Sequence, residues 1–132
     1  MKLTYQAMGE ALTFARFFLV GIVATLIHMI VAAILIASFS VPVFLSNLIA
    51  FLVAFLFAFS GHYIWTFRKK ANLYRSLIRY FTISGTAFAT NNLVLLGLVK
   101  SGRLSDMVSV ILAALIIPLI SYTASRLWGF KP

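Results

Sequence analysis

Four long apolar stretches, separated by short polar breaks, account for most of the chain. They run over Phe17–Ala37, Phe44–Thr66, Ile78–Val99 and Met107–Trp128. A helix needs about 20 mainly apolar residues to cross the hydrocarbon core of a bilayer, and each stretch meets that length. The breaks carry helix-ending signals: Ser38–Val43 holds Pro42, Phe67–Leu77 holds a basic run, and Lys100–Asp106 holds Gly102. The pattern predicts an all-α integral membrane protein, residues 1–132 forming a single membrane domain of four transmembrane helices. Ahead of the first span, Leu3, Tyr5, Met8 and Leu12 recur at near-helical spacing. That segment fits either an interfacial helix on the membrane surface or a frayed terminus. The first span is longer than the apolar region of a signal peptide, and losing it would leave its partner span unmatched, so it reads as a permanent crossing.

Composition agrees with the pattern. Hydrophobic residues make up 63% of the 132 residues and charged ones 10%, against about 25% charged in soluble domains. A water-soluble fold of this size cannot hide that much apolar surface. The formal charge of +9 is not spread over a polar face but gathered between the apolar stretches, which is how topology is encoded. Lys2 and Arg16 precede the first span; Arg68, Lys69, Lys70, Arg75 and Arg79 lie between the second and third; Arg126 and Lys131 close the chain. Only Lys100 and Arg103 fall on the other side, beside Asp106. Both termini and the middle loop are therefore expected in the cytoplasm, and no nucleic-acid-binding signature accompanies the charge.

The second half of the chain echoes the first. Arg16-Phe17-Phe18 corresponds to Arg79-Tyr80-Phe81, and Ile64-Trp65-Thr66-Phe67-Arg68 to Leu127-Trp128-Gly129-Phe130-Lys131, both 63 residues apart. Two separate matches at one ungapped offset predict two tandem helical hairpins, repeat one over 16–68 and repeat two over 79–131. Each hairpin enters and leaves on the same side, so the expectation is a parallel repeat about an axis along the membrane normal.

Catalytic chemistry finds no footing. The chain has no cysteine, and its only carboxylates, Glu10 and Asp106, lie outside the spans. No carboxylate pair, metal-ligand cluster, Gly-rich phosphate loop or Ser/His/Asp set is available within one compartment. The sequence argues against an enzyme and calls for no metal and no cofactor.

Polar groups at depth carry more weight in lipid, where each needs a partner. His28 lies near the middle of the first span, and its counterpart in the repeat is Asn91, beside Asn92. These residues either hydrogen-bond between helices or line a path for a polar head group, with a proton-linked step open at His28. At the cytoplasmic end, Ser60, Gly61 and His62 precede Trp65 and Arg68, with Arg16, Arg79 and Arg126 at a similar level. This ring suits a lipid phosphate, because the guanidinium fork binds phosphate oxygens bidentately; it also suits simple topology enforcement and contact with anionic lipid heads. Trp65 and Trp128 read first as interfacial anchors. Packing signals include Ala50, Ala54 and Ala58 beside Phe51, Phe55 and Phe59, and the pairs Gly21/Ala24 and Gly85/Ala89. Pro118 is expected to bend the fourth span, freeing a carbonyl near Ala114.

The ordered set of motifs resembles the GtrA-like family of small membrane proteins. The residues are Arg16, Phe17 and Gly21 opening the first span and Ser46-Asn47-x-x-Ala50 opening the second. Gly61-His62-x-x-Trp65-Thr66-Phe67 closes the second span, and Arg79-Tyr80-Phe81 and Arg126-Leu127-Trp128-x-Phe130 belong to the second half. The resemblance covers Arg16 to Phe130. Where that family often carries Asn-Arg before the aromatic ending of the second span, this chain has His62 and Tyr63, while Arg126 remains in the second half. The resemblance implies translocation of a polyprenyl-phosphate-linked sugar, such as undecaprenyl-phosphate glucose, across the bacterial inner membrane. A glycosyltransferase would then use the sugar to modify surface polysaccharide.

A sugar-phosphate head crosses hydrocarbon unaided only at great cost. Four spans leave little room for a closed path, so a homodimer or larger assembly with a lipid-open groove is expected. A small drug exporter of similar size needs a carboxylate inside the membrane, which neither Glu10 nor Asp106 supplies. A different class remains open: a non-transporting accessory that recruits or stabilises a membrane glycosyltransferase.

Overall fold

A computed structural model describes the backbone of residues 1–132 and the side chains of all but residues 44, 106, 107, 110, 111 and 113–117. The fold is all-helical, with no strand among the described residues. Helix α1 (Lys2–Phe39) is followed by α2 (Val43–Gly61), which ends in a π-helical turn at His62–Thr66. Helix α3 (Leu73–Ser101) is followed by α4 (Asp106–Ala124), which ends in a second π-helical turn at Ser125–Gly129. Three segments, Lys2–Phe39, Leu45–Thr66 and Leu73–Ser101, are long and apolar enough to cross a membrane among the residues searched. The fourth expected span includes Met107 and other residues outside the described set, as are Asp106 and Ala114.

Helix ends form where the breaks are expected. Ser40 takes a left-handed conformation (φ 52°) after α1, and Pro42, which has no N–H to leave unsatisfied, caps α2. The Asn72 side chain accepts from the Arg75 N–H at 3.0 Å to start α3, and Ser105 accepts from the Val108 N–H at 3.3 Å to start α4. Gly102, at φ 66°, ends α3 in the region only glycine enters without strain. The segment before the first span is neither frayed nor separate: α1 is continuous over 38 residues, about 57 Å at the helical rise. The hydrocarbon core is about 30 Å thick, so such a helix reaches well beyond it.

The chain forms two compact units, Met1–Lys70 and Ala71–Pro132. In the first, α1 lies along α2, with Phe17, Val20 and Ala24 buried on α1 and Ala50, Ala54, Phe55, Ala58 and Phe59 buried on α2. The aromatic stripe stacks on itself, with Phe51–Phe55 at 6.3 Å and Phe55–Phe59 at 6.4 Å between centroids. Ser46 is fully buried, and its hydroxyl donates to the Val41 carbonyl at 3.2 Å, tying the start of α2 to the turn before it. In the second unit α3 lies along α4, with Tyr80, Ile83 and Phe130 buried. Ser109, also fully buried, donates to the Ser105 carbonyl at 3.0 Å. The outer faces carry exposed Leu19, Ile22, Leu26, Met29 and Ile30 on α1 and Phe81, Phe88, Leu93 and Leu96 on α3. Such surfaces suit hydrocarbon rather than water.

The close helix approaches differ from expectation. A Cβ added at Gly21 or Gly85 would meet nothing within 4 Å. The tight points lie at Gly61, where a Cβ would fall 2.9 Å from Val20 Cγ1, and at Gly129, where it would fall 2.8 Å from Ile83 Cδ1. Both are at the Trp-bearing ends of their hairpins, where α1 and α3 bring a branched side chain onto the neighbouring backbone.

Candidate functional site

Each unit builds the same small constellation at the end of its second helix. The last carbonyls of a helix have no partner within it and carry the negative end of the helix dipole. In the first unit Arg16 reaches across from α1, its Nη1 donating to the Trp65 carbonyl at 3.5 Å. Its guanidinium carbon stands 5.5 Å from the centre of the Trp65 ring. In the second, Arg79 Nη1 donates to the Trp128 carbonyl at 2.9 Å, with the guanidinium 5.3 Å from the Trp128 ring centre. A cation over an indole and beside a helix C-terminus is held by two independent attractions. A guanidinium offers five N–H donors, and neither arginine makes another hydrogen bond among the described residues. The clamp therefore holds each guanidinium in place while leaving donors for an anion.

The Trp-x-Phe endings divide their labour. Trp65 and Trp128 are about half exposed, at 44% and 45%, whereas Phe130 is buried. Phe67 sits 6.4 Å from the His62 ring, and Phe130 sits 5.4 Å from the Tyr80 ring. The indoles face outward, Phe130 packs the second turn against Tyr80 of α3, and Phe67 packs against His62 within the first turn.

His62, expected at the phosphate site, is placed elsewhere. It is 1% exposed, its ring stacks on Phe17 at 4.2 Å with an 11° interplanar angle, and its Nδ1 pairs with Thr66 Oγ1 at 3.2 Å. Its polarity is satisfied inside the hairpin, so it is not presented to a lipid head. Arg68 is exposed in a left-handed turn (φ 55°) with Lys69, and Arg126 is exposed in the second π-helical turn. Both present charge at the surface. His28 and Asn91 are half-buried on α1 and α3, and neither hydrogen-bonds among the described residues. Asn92 donates to the Phe88 carbonyl of its own helix at 3.0 Å.

Sequence reasoning did not single out a cleft of about 240 Å³ between α3 and α4. Thr82, Thr86 and Thr90 line one wall, Ser121 and Ala124 the other, and Trp128 the end nearest Arg79. Thr82 donates to the Ile78 carbonyl at 3.0 Å, but the hydroxyls of Thr86, Thr90 and Ser121 have no partner among the described residues. The four-residue spacing of the threonines is the sequence signal that marks this wall.

No curated protein matches the chain significantly. The model of the GtrA/DPMS transmembrane domain matches residues 16–130, from the first clamp arginine to the phenylalanine that closes the second turn. The chain thus belongs to the GtrA/DPMS transmembrane-domain family, multi-pass and typically non-catalytic membrane proteins associated with lipid-linked sugar handling.

Proposed function

We propose that the protein translocates a polyprenyl-phosphate-linked monosaccharide across the bacterial inner membrane, delivering it for glycosylation of cell-surface polysaccharide. The observation that carries this reading is the pair of clamped arginines. Arg16 and Arg79 each hold a carbonyl and an indole with part of the guanidinium and keep the remaining donors unengaged among the described residues. A lipid phosphate meeting such a group gains charge-assisted hydrogen bonds without first ordering the side chain.

In this reading the chain crosses the membrane four times as two tandem hairpins, with both termini and the basic loop Arg68–Arg79 in the cytoplasm. Arg68 and Arg126 each add positive charge beside the tryptophan of their own hairpin, drawing anionic head groups toward that clamp. His28, Asn91 and Asn92 offer polar contacts deeper in the bilayer, and a homodimer or larger assembly supplies the remaining walls. The test is protein-dependent movement of a polyprenyl-phosphate sugar between leaflets of proteoliposomes that contain this chain alone. Translocation that requires the chain supports the reading; none, with inserted protein and a working lipid-flipping control, overturns it.

The second reading is an accessory that docks a membrane glycosyltransferase. It is favoured by the exposed Leu3, Tyr5, Met8 and Leu12 at the start of α1. It predicts co-purification with such an enzyme and no autonomous lipid movement.

A further inference from the structure

The two hairpins place matching residues at the Arg–Trp clamp but different chemistry beneath it. Thr82, Thr86, Thr90 and Ser121 line the α3–α4 cleft; the residues 63 positions earlier are Leu19, Val23, Ile27 and Ala58, none of which carries a hydroxyl. The cleft begins at Trp128, whose indole and carbonyl hold Arg79. At the helical rise, the eleven steps from Arg79 to Thr90 span about 16 Å, which is roughly half the hydrocarbon thickness.

Resting on the proposed lipid-linked sugar function, we infer that this cleft is the sugar subsite of the second hairpin. The lipid phosphate sits on the donors of Arg79 that are unengaged among the described residues, and the head group's hydroxyls exchange water for Thr86, Thr90 and Ser121. The cleft lining is mostly apolar, with a few hydroxyls set into it, and a sugar ring has a part for each. A sugar ring has an apolar C–H face, which packs on an indole or on Ala87 and Ile83, and an equatorial girdle of hydroxyls that both donate and accept. Threonine and serine hydroxyls likewise donate and accept, so they serve a ring in several orientations as it moves. Unengaged hydroxyls facing hydrocarbon have nothing to bond, whereas facing a sugar they are satisfied. A volume of about 240 Å³ is below the range of about 300–1,000 Å³ that holds drug-sized ligands, which limits the cleft to a single ring. An ordinary phospholipid chain is the competing occupant, and it would gain nothing from the hydroxyls.

Trp128 provides the readout, since the chain has two tryptophans and Trp65→Phe leaves it as the sole reporter. Trp128 fluorescence of the W65F protein in nanodiscs is titrated with undecaprenyl-phosphate glucose, with sugar-free undecaprenyl phosphate and with phosphatidylglycerol. The cleft assignment expects a saturable change with the first. The triple variant Thr86→Val, Thr90→Val, Ser121→Ala should weaken that binding about ten-fold and leave binding of sugar-free undecaprenyl phosphate unchanged. Thr86→Ser with Thr90→Ser, which keeps the hydroxyls, should bind as the parent does. Equal sugar-lipid affinity in the triple variant, or equal loss for both phosphate lipids, overturns the assignment, as does a Trp128 that responds alike to phosphatidylglycerol. A translocating protein whose Trp128 ignores the sugar lipid loses the cleft but keeps the translocation reading. A saturable sugar-dependent response in a protein that moves no lipid keeps the cleft and removes translocation.

Discussion

The clamp geometry makes a ranked prediction for lipid-phosphate binding. Arg79 is held at 2.9 Å from the Trp128 carbonyl, and Arg16 at 3.5 Å from that of Trp65, the outer edge of a hydrogen bond. The better-held guanidinium surrenders less side-chain freedom when a phosphate arrives. Hydrogen bonds to charged groups contribute about 1.5–3 kcal/mol each. Arg79→Ala removes at least one such bond together with the point charge, and a loss of about 2–3 kcal/mol corresponds to a weakening of roughly 30- to 150-fold. Arg79→Lys keeps the charge but lacks the planar fork, so one ammonium must choose between the carbonyl and the phosphate; a loss of about 1 kcal/mol, roughly five-fold, is expected. Arg16→Ala should fall between them, at about ten-fold.

The assay is binding of sugar-free undecaprenyl phosphate to the protein in nanodiscs of zwitterionic lipid, where no anionic lipid competes, with helicity checked by circular dichroism. Wild-type affinity in both alanine variants refutes a phosphate role for the clamps and leaves them as helix caps. A larger loss in Arg16→Ala than in Arg79→Ala refutes the ranking by clamp geometry.

Three further outcomes follow from the packing. Gly61→Val should destabilise the first hairpin by about 1–3 kcal/mol, because Val20 Cγ1 and Cγ2 stand 2.9 and 3.1 Å from the added Cβ and neither rotates away without the other arriving. Gly129→Val should cost less, since its contact is the flexible Ile83 Cδ1; thermal loss of helicity in detergent compares the two. His62→Ala, which empties the stack on Phe17, should lower stability by about 2–5 kcal/mol while the folded fraction binds lipid phosphate normally; weakened binding without loss of stability would return His62 to the phosphate site. His28→Ala and Asn91→Ala should slow translocation in proteoliposomes more than they weaken binding, and failure of both to fold would assign them to packing instead.

The helices and their breaks were legible because lipid imposes a length and an apolar threshold that few other contexts share. Pro42 and Gly102 mark two of their boundaries through backbone rules that act locally, whereas the Asn72 cap that starts α3 was not singled out. The length of α1 was less legible: Met1–Ala15 is neither apolar enough for a span nor broken by proline, and the spacing of Leu3, Tyr5, Met8 and Leu12 leaves helix and frayed end equally open. The clamps were half visible. The sequence places Arg16 and Arg79 at the level of the two tryptophans, but the acceptor is a backbone carbonyl, which every residue has and no residue type announces. His62 misled because a histidine near arginines suggests exposure, while the ring that satisfies it, Phe17, lies 45 positions away in sequence. Gly21 and Gly85 misled similarly, since a small residue permits a close approach without requiring one; where the backbones do meet, at Gly61 and Gly129, the partner is a branched side chain on the other helix.

Positions 63 apart separate what a hairpin needs from what a site adds. Phe17 and Tyr80, Val20 and Ile83, and Ser46 and Ser109 are buried in both units, and Arg–Trp contacts close both; these are demands of packing two helices and capping the second. Where the units diverge, the first moves toward self-sufficiency and the second away from it. His62 fills its space with a stacked, hydrogen-bonded ring, whereas Ser125 at the matching place holds a buried hydroxyl that has no partner among the described residues. Leu19, Val23 and Ile27 give way to three threonines on a cleft wall. Unsatisfied hydroxyls in a membrane helix are a liability unless something polar arrives. The two clamps should therefore be functionally unequal: loss of Arg79 should erase the distinction between sugar-bearing and sugar-free lipid, and loss of Arg16 should weaken both without changing their ratio.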